Sequence, residues 1–141
     1  MKPSTIFRRI DPIPAELLAS PLAASIPSAE LRSIARRGTT VSLAAGREIT
    51  REAEIGRECV IVVTGSFAVE RDGVEVAVIK PGAVVGEIAL LTNQPRNATV
   101  TAREDSLVYA FNRAEFFSLL DACPKLATMI YSEAVQRSLA G

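Results

Sequence analysis

Between residues 39 and 112 the chain is cut into short β-branched runs by turn signals, and no other feature limits its possible folds as much. The run CVIVVTGSFAVE (59–70) is a strong strand candidate, with Gly65 as a bulge or bend. Arg71-Asp72-Gly73 follows, and Asp-Gly supplies the positive φ values that a tight hairpin needs. VEVAVI (74–79) alternates as the return strand, and KPGA (80–83) marks the next turn. TTVSLA (39–44), EIT (48–50), NATVTA (97–102) and SLVYAFN (106–112) complete the set, the last two flanking the charged turn REDS. Many short strands at regular spacing imply a sandwich or a barrel.

The flanks read as helical. Residues 1–14 are irregular, and AELLAS (15–20) forms one short helix. PSAELRSIARRG (27–38) is predicted as a helix with Ser28 as N-cap, Glu30 in the dipole-favoured first turn and Gly38 as its stop. Leu31, Ile34 and Ala35 form its apolar stripe. Asn112 and Glu115 make a capping-box pair ahead of FFSLL, and Pro124 opens a last helix over 125–140 as an N1 proline. The expected fold class is α+β: an antiparallel β-barrel or jelly roll of about eight short strands. One domain is expected to span residues 1–141, with an N-terminal helical segment (1–38), a barrel (39–113) and two C-terminal helices (114–141).

Composition narrows the function. With 16 basic and 16 acidic residues, the chain lacks the strong positive charge of a nucleic-acid module. It contains no His, which removes most zinc sites and the Ser-His-Asp and Cys-His forms of catalysis. Cys59 and Cys123 are too few for a disulfide framework, and Cys59 reads as a small buried hydrophobe. No apolar run reaches the ~20 residues of a membrane span. The start MKPSTIFRRIDPIP is too charged and proline-rich for a signal peptide, so a cytoplasmic location is expected.

The segment GAVVGEIALLTNQPRNATVTA (82–102) is longer than a plain hairpin requires. It reads as a tight turn at Gly86, a short helix over 87–91 and a loop ending at Pro95-Arg96. Backbone N–H groups at a helix start, a small residue at Ala89 and a planar guanidinium at Arg96 together suit a phosphate. Glu87 repels an anion but can accept from a sugar hydroxyl. Taken singly, Glu87 reads as a dipole-favoured surface residue and Arg96 as a solvated loop residue; their joint order and spacing describe a site for a sugar phosphate.

GEIALLTNQPRNATV (86–100) resembles the phosphate-binding cassette of the cyclic nucleotide-binding domain family. That family includes regulatory subunits of cAMP-dependent protein kinase, bacterial catabolite activators and cyclic-nucleotide-gated channels. The likeness extends over roughly residues 21–140. It implies that Arg96 pairs with the exocyclic phosphate oxygens and that Glu87 accepts from the ribose 2′-OH. Gly86 then turns the chain into the cassette helix with its backbone against the ribose. Ala89 and Ala98 occupy small positions, with the Ala89 N–H directed at the phosphate, while Ile88 and Leu90 pack the cassette on the barrel. Asn97 departs from the family's usual Ala, Ser or Thr, where a hydroxyl is associated with contact to a guanine amino group. Tyr131, Val135 and Leu139 of the last helix are the residues available to cover the base, and the plainer reading of Tyr131 is core packing.

The resemblance implies a non-enzymatic regulatory domain that binds a cyclic nucleoside monophosphate, cAMP in preference to cGMP, and couples occupancy to movement of the C-terminal helices. No cofactor and no metal are expected. Its partners would be an effector protein or a fused domain, with a homodimer allowed. Only about 28 residues follow the last strand and they hold no second basic helix, so direct DNA binding is not expected. The alternative reading is a non-catalytic protein-interaction module that kept the barrel.

Overall fold

The computed structural model describes residues 12–140, with side chains through residue 136, so the expectations for residues 1–11 and for the Leu139 side chain lie outside the described residues. Three helices come first: α1 (Ala15–Leu18), α2 (Leu22–Ser25) and α3 (Ser28–Arg37). The strands are β1 (Thr39–Leu43), β2 (Glu48–Thr50), β3 (Glu58–Thr64), β4 (Phe67–Arg71), β5 (Val74–Ile79), β6 (Val84–Val85), β7 (Thr99–Ala102) and β8 (Ser106–Asn112). Helix α4 (Glu87–Thr92) lies between β6 and β7, and α5 (Arg113–Ala122) and α6 (Pro124–Ala140) close the chain.

The eight strands form two antiparallel four-stranded sheets, ordered β1-β8-β3-β6 and β2-β7-β4-β5. Period-two alternation explains why the first sheet is central. Along β3, Cys59, Ile61 and Val63 enter a core shared with the helices, whereas Val60 and Val62 enter the core between the sheets. On β8, Tyr109 and Phe111 face the helices, and Val108 and Ala110 face the second sheet. Strands buried on both faces read as continuous apolar runs, which is what CVIVV is. The second sheet contributes Phe67, Val100 and Ala102 to the inter-sheet core. The result is a jelly-roll sandwich with a helical layer on its first sheet.

Several local expectations change. Of the two expectations for Gly65, bulge or bend, the bend holds: with φ +90° it separates β3 from β4, which belong to different sheets. The Ser106 hydroxyl fills the space where a Gly65 Cβ would be. Pro27, not Ser28, caps α3, its carbonyl accepting from the Glu30 and Leu31 N–H groups. Gly38 ends α3 at φ −90°, an ordinary conformation, and its missing side chain instead makes room for the Phe111 ring, which a Cβ would meet at 2.7 Å. The segment 15–20 forms only α1, and α2 follows Pro21 as a separate turn. Asp72 (φ 53°) and Gly73 (φ 79°) form the expected two-residue hairpin turn. The capping box of Asn112 and Glu115 has both its bonds, each 2.8 Å.

Candidate functional site

Gly86 adopts φ 91° and turns β6 into α4. This αL residue lets the chain leave the first sheet and start a helix without an intervening loop. Helix α4 then buries Glu87 (1% exposed), Ala89 and Leu90, and leaves Ile88 half-buried. Its far end is held by Arg113 of α5, which donates from Nη1 to the Leu90 carbonyl at 3.0 Å while stacking over Phe117 at 5.1 Å.

Arg96 comes back to this helix through a short irregular ladder. Its N–H donates to the Glu54 carbonyl and its carbonyl accepts from the Ala53 N–H, both at 2.8 Å, with Ile55 bridging Pro95. The guanidinium then donates from Nη1 to the Gly86 carbonyl at 2.8 Å and from Nη2 to the Glu58 carbonyl. Neutral carbonyls orient the group without cancelling its charge. It threads between two glycines: a Cβ on Gly56 would come within 2.3 Å of it, and one on Gly86 within 2.4 Å. Burial lowers the Arg96 pKa from its ordinary value, against the opposing pull of Cys59, Glu87 and Glu58. An arginine so far above neutral stays charged all the same. Cys59, beside the same charges, has its thiol pKa pushed up chiefly by burial and then by Glu87, so it stands there as a neutral group.

Arg96, Gly86 and the first turn of α4 border a cavity of about 700 Å³, the size of a small-molecule site. Gly86 through Ala89 and Arg96 through Ala98, the cassette residues singled out from the sequence, all line it. Asn97 is exposed at its edge and Ala98 is buried. Ile88, expected to pack the cassette on the barrel, instead faces the cavity, and Leu90 alone enters the helix-side core. Tyr131 is not in the wall and is 48% exposed. The reason is helical phase: Met129 and Glu133 line the cavity from α6, and a residue two positions from each faces away. Val135 shares the outward face with Tyr131 and is 58% exposed.

Among the contributors that escaped the sequence reading are Met129, Glu133, Gly56 and Arg71. Met129 and Glu133 had a signal, the helical period, counted from the wrong residue. Gly56 and the cavity-lining Arg71 had none, because nothing local to either stretch points at the cassette. Among the described residues no helix is long and apolar enough to cross a membrane.

The cyclic nucleotide-binding domain model matches residues 40–123. A cyclic nucleotide-gated potassium channel of Mesorhizobium japonicum is 33% identical over 120 residues, which cover 84% of this chain and 33% of the channel. The chain therefore spans about a third of that relative's length. The structure of Sp-2Cl-cAMPS bound to PKAR CBD2 shares the fold with a TM-score of 0.68 at 24% identity, covering 87% of this chain and 86% of that one. A structure from work on a cyclic-GMP-dependent signalling pathway in bacterial phytopathogenesis has a TM-score of 0.68 at 26% identity, covering 82% and 96%. With the match spanning the barrel, the cassette and the first C-terminal helix, the chain belongs to the cyclic nucleotide-binding domain family.

Proposed function

We propose that the chain binds a cyclic nucleoside monophosphate, cAMP or cGMP, in the 700 Å³ cavity and transmits occupancy through α5 and α6. The observation that carries this reading is the seat of Arg96. A half-buried guanidinium, fixed by two neutral carbonyls and given room by two glycines, supplies directed positive charge for an anionic ligand. Buried Glu87, whose carboxylate acts electrostatically on that charge, is the residue we assign to a ribose hydroxyl. The solved relatives are named for a cAMP analogue and for cyclic-GMP signalling, so the likeness leaves the base open. We read the chain as a binding module acting on an effector protein or a fused domain, not as an enzyme.

Isothermal calorimetry with cAMP and cGMP tests the site. Arg96→Ala removes one partner of a charge-assisted pair, an expected loss of about 2–5 kcal/mol, or on the order of 30- to several-thousand-fold in affinity. Unchanged binding in that variant would sink the assignment. An intact fold that binds no cyclic nucleotide at millimolar concentration would favour a protein-interaction module instead.

A further inference from the structure

A smaller cavity of about 220 Å³ lies between the two sheets and has no role in the site described above. All four strands of the first sheet wall it, whereas the second sheet contributes only Ile49 and Thr50 of β2. The cause is strand length. β2 has three residues and cannot cover an inner face that β1, β3 and β8 extend over five to seven. Small side chains deepen the gap: Val60 pairs with Ala110 on one side and Val85 on the other, so one row of the sheet carries two valines and an alanine.

Apart from Thr50 and Glu58 the walls are apolar. An apolar void of about 150 Å³ already admits benzene, so this one holds a six-membered ring with a short arm. The Thr50 hydroxyl is engaged, donating to the Ala98 carbonyl at 2.9 Å. Glu58 therefore sets the polarity of what enters. It shares a face of β3 with Val60 and Val62 and is exposed at the start of that strand. A carboxylate only accepts, so it favours a cationic head over a neutral or anionic one.

The two cavities share structure. Thr50 and Val85 line both, and Val85 leads directly into Gly86. The Glu58 carbonyl holds the Arg96 guanidinium, and the Glu58 carboxylate acts electrostatically on the same charge. An ammonium beside Glu58 would offset that negative charge and leave more of the Arg96 field for a phosphate.

We propose that the inter-sheet cavity is a second ligand site, for a small amine with a ring-sized apolar body, and that filling it strengthens cyclic nucleotide binding. The site stands on its own walls; the coupling rests on the cyclic nucleotide reading of the larger cavity. By linkage, bound nucleotide raises the affinity for the amine by the same factor.

NMR titration of the full chain with benzylamine, benzyl alcohol and benzoate tests the site with one ring and a positive, a neutral and a negative head. Benzylamine is expected to bind at about 10 mM or tighter, with amide shifts centred on β1, β3 and β8. It should bind about two- to fivefold better than the alcohol, and benzoate should bind weakest. Glu58→Gln should bring the amine down to the alcohol. Val41→Phe puts a ring into the gap and should weaken both by about tenfold or more. Ile49→Phe is the second blocking variant should Val41→Phe lose its dispersed amide spectrum, and the wild-type ligand series depends on no variant folding. The site falls if benzoate binds as well as benzylamine, if blocking leaves the amine unaffected, or if none of the three binds. It also falls if cyclic nucleotide displaces benzylamine, which would put the ring in the larger cavity. Calorimetry with cAMP and cGMP in saturating benzylamine reads the coupling: binding about fivefold tighter than without the amine, with the gain lost in Glu58→Gln. Unchanged nucleotide affinity overturns the coupling and leaves the site. A chain that binds benzylamine but no cyclic nucleotide refutes the nucleotide reading and the coupling with it, while the second site stands.

Discussion

Arg96 is positioned by what its neighbours lack. The two glycines that admit it are not equivalent. Gly86 has φ 91°, so a side chain there strains the backbone and also meets the Glu58 carbonyl at 3.0 Å. At Gly56 the three nearest atoms to a new Cβ all belong to the Arg96 guanidinium, the mobile end of a long side chain. Gly56→Ala is therefore expected to fold, at a cost of about 1–3 kcal/mol for the carbonyl bonds that the guanidinium gives up as it swings away. Moving it out of place should weaken cyclic nucleotide binding on the order of tenfold or more. Urea titration and calorimetry on one preparation check both halves, and full affinity would show that Arg96 does not need this seat. At this scale the sequence is informative where partners are close along the chain. Glu87 and Arg96 stand out because charges in an apolar segment demand a reason, and both line the same cavity. Gly56 is about forty residues from the arginine it accommodates, and only the folded loop brings them together.

The helices carry a connection of the same long-range kind. Glu30, expected to favour the dipole of its own helix α3, is 6% exposed and caps another helix. Its two carboxylate oxygens accept the N–H groups of Leu126 at 2.9 Å and Lys125 at 3.2 Å, in the first turn of α6. Pro124 has no N–H to satisfy, so these are the first donors of that helix. Glu30→Ala leaves both without their partner and should cost about 1–3 kcal/mol in urea unfolding, with Glu30→Gln losing less because one oxygen remains. An alanine variant as stable as wild type would mean that solvent replaces the carboxylate at no cost. The capping box of α5 could be read from the sequence because its partners lie three residues apart; the cap of α6 could not, because Glu30 is held against it only by the packing of α3, α5 and α6. Elements as short as β6 and α2 were missed for another reason: two to four residues cannot display a period.

Across the whole molecule these ties join the cavity to the helical layer by two routes. Arg113 links the end of α4 to α5 through the Leu90 carbonyl, and α6, capped by Glu30 of α3, puts Met129 and Glu133 into the cavity wall. The first sheet lies between this layer and the second sheet, with β3 and β8 buried on both faces. On the proposed reading the sandwich is the floor of the site and the helices are the part that responds. A ligand shifts their arrangement only to the extent that it binds one arrangement better than the other. Saturating cyclic nucleotide at about one hundred times its dissociation constant should stabilise the fold by about 2.7 kcal/mol, or roughly 5–10 °C in Tm for a chain of this size. Hydrogen exchange then shows where that energy goes. Amides of α4, α5 and α6 are expected to slow beyond the global gain, while those of β3 and β8, buried on both faces and so expected to open only by complete unfolding, should follow global stability alone. In Arg113→Ala the ligand should still protect α4 but protect α5 less, since the bond that joins them is gone. Equal protection of α5 in both proteins would assign the coupling to α6 and its two cavity-lining side chains, and would leave Arg113 as a cap on the cassette helix alone.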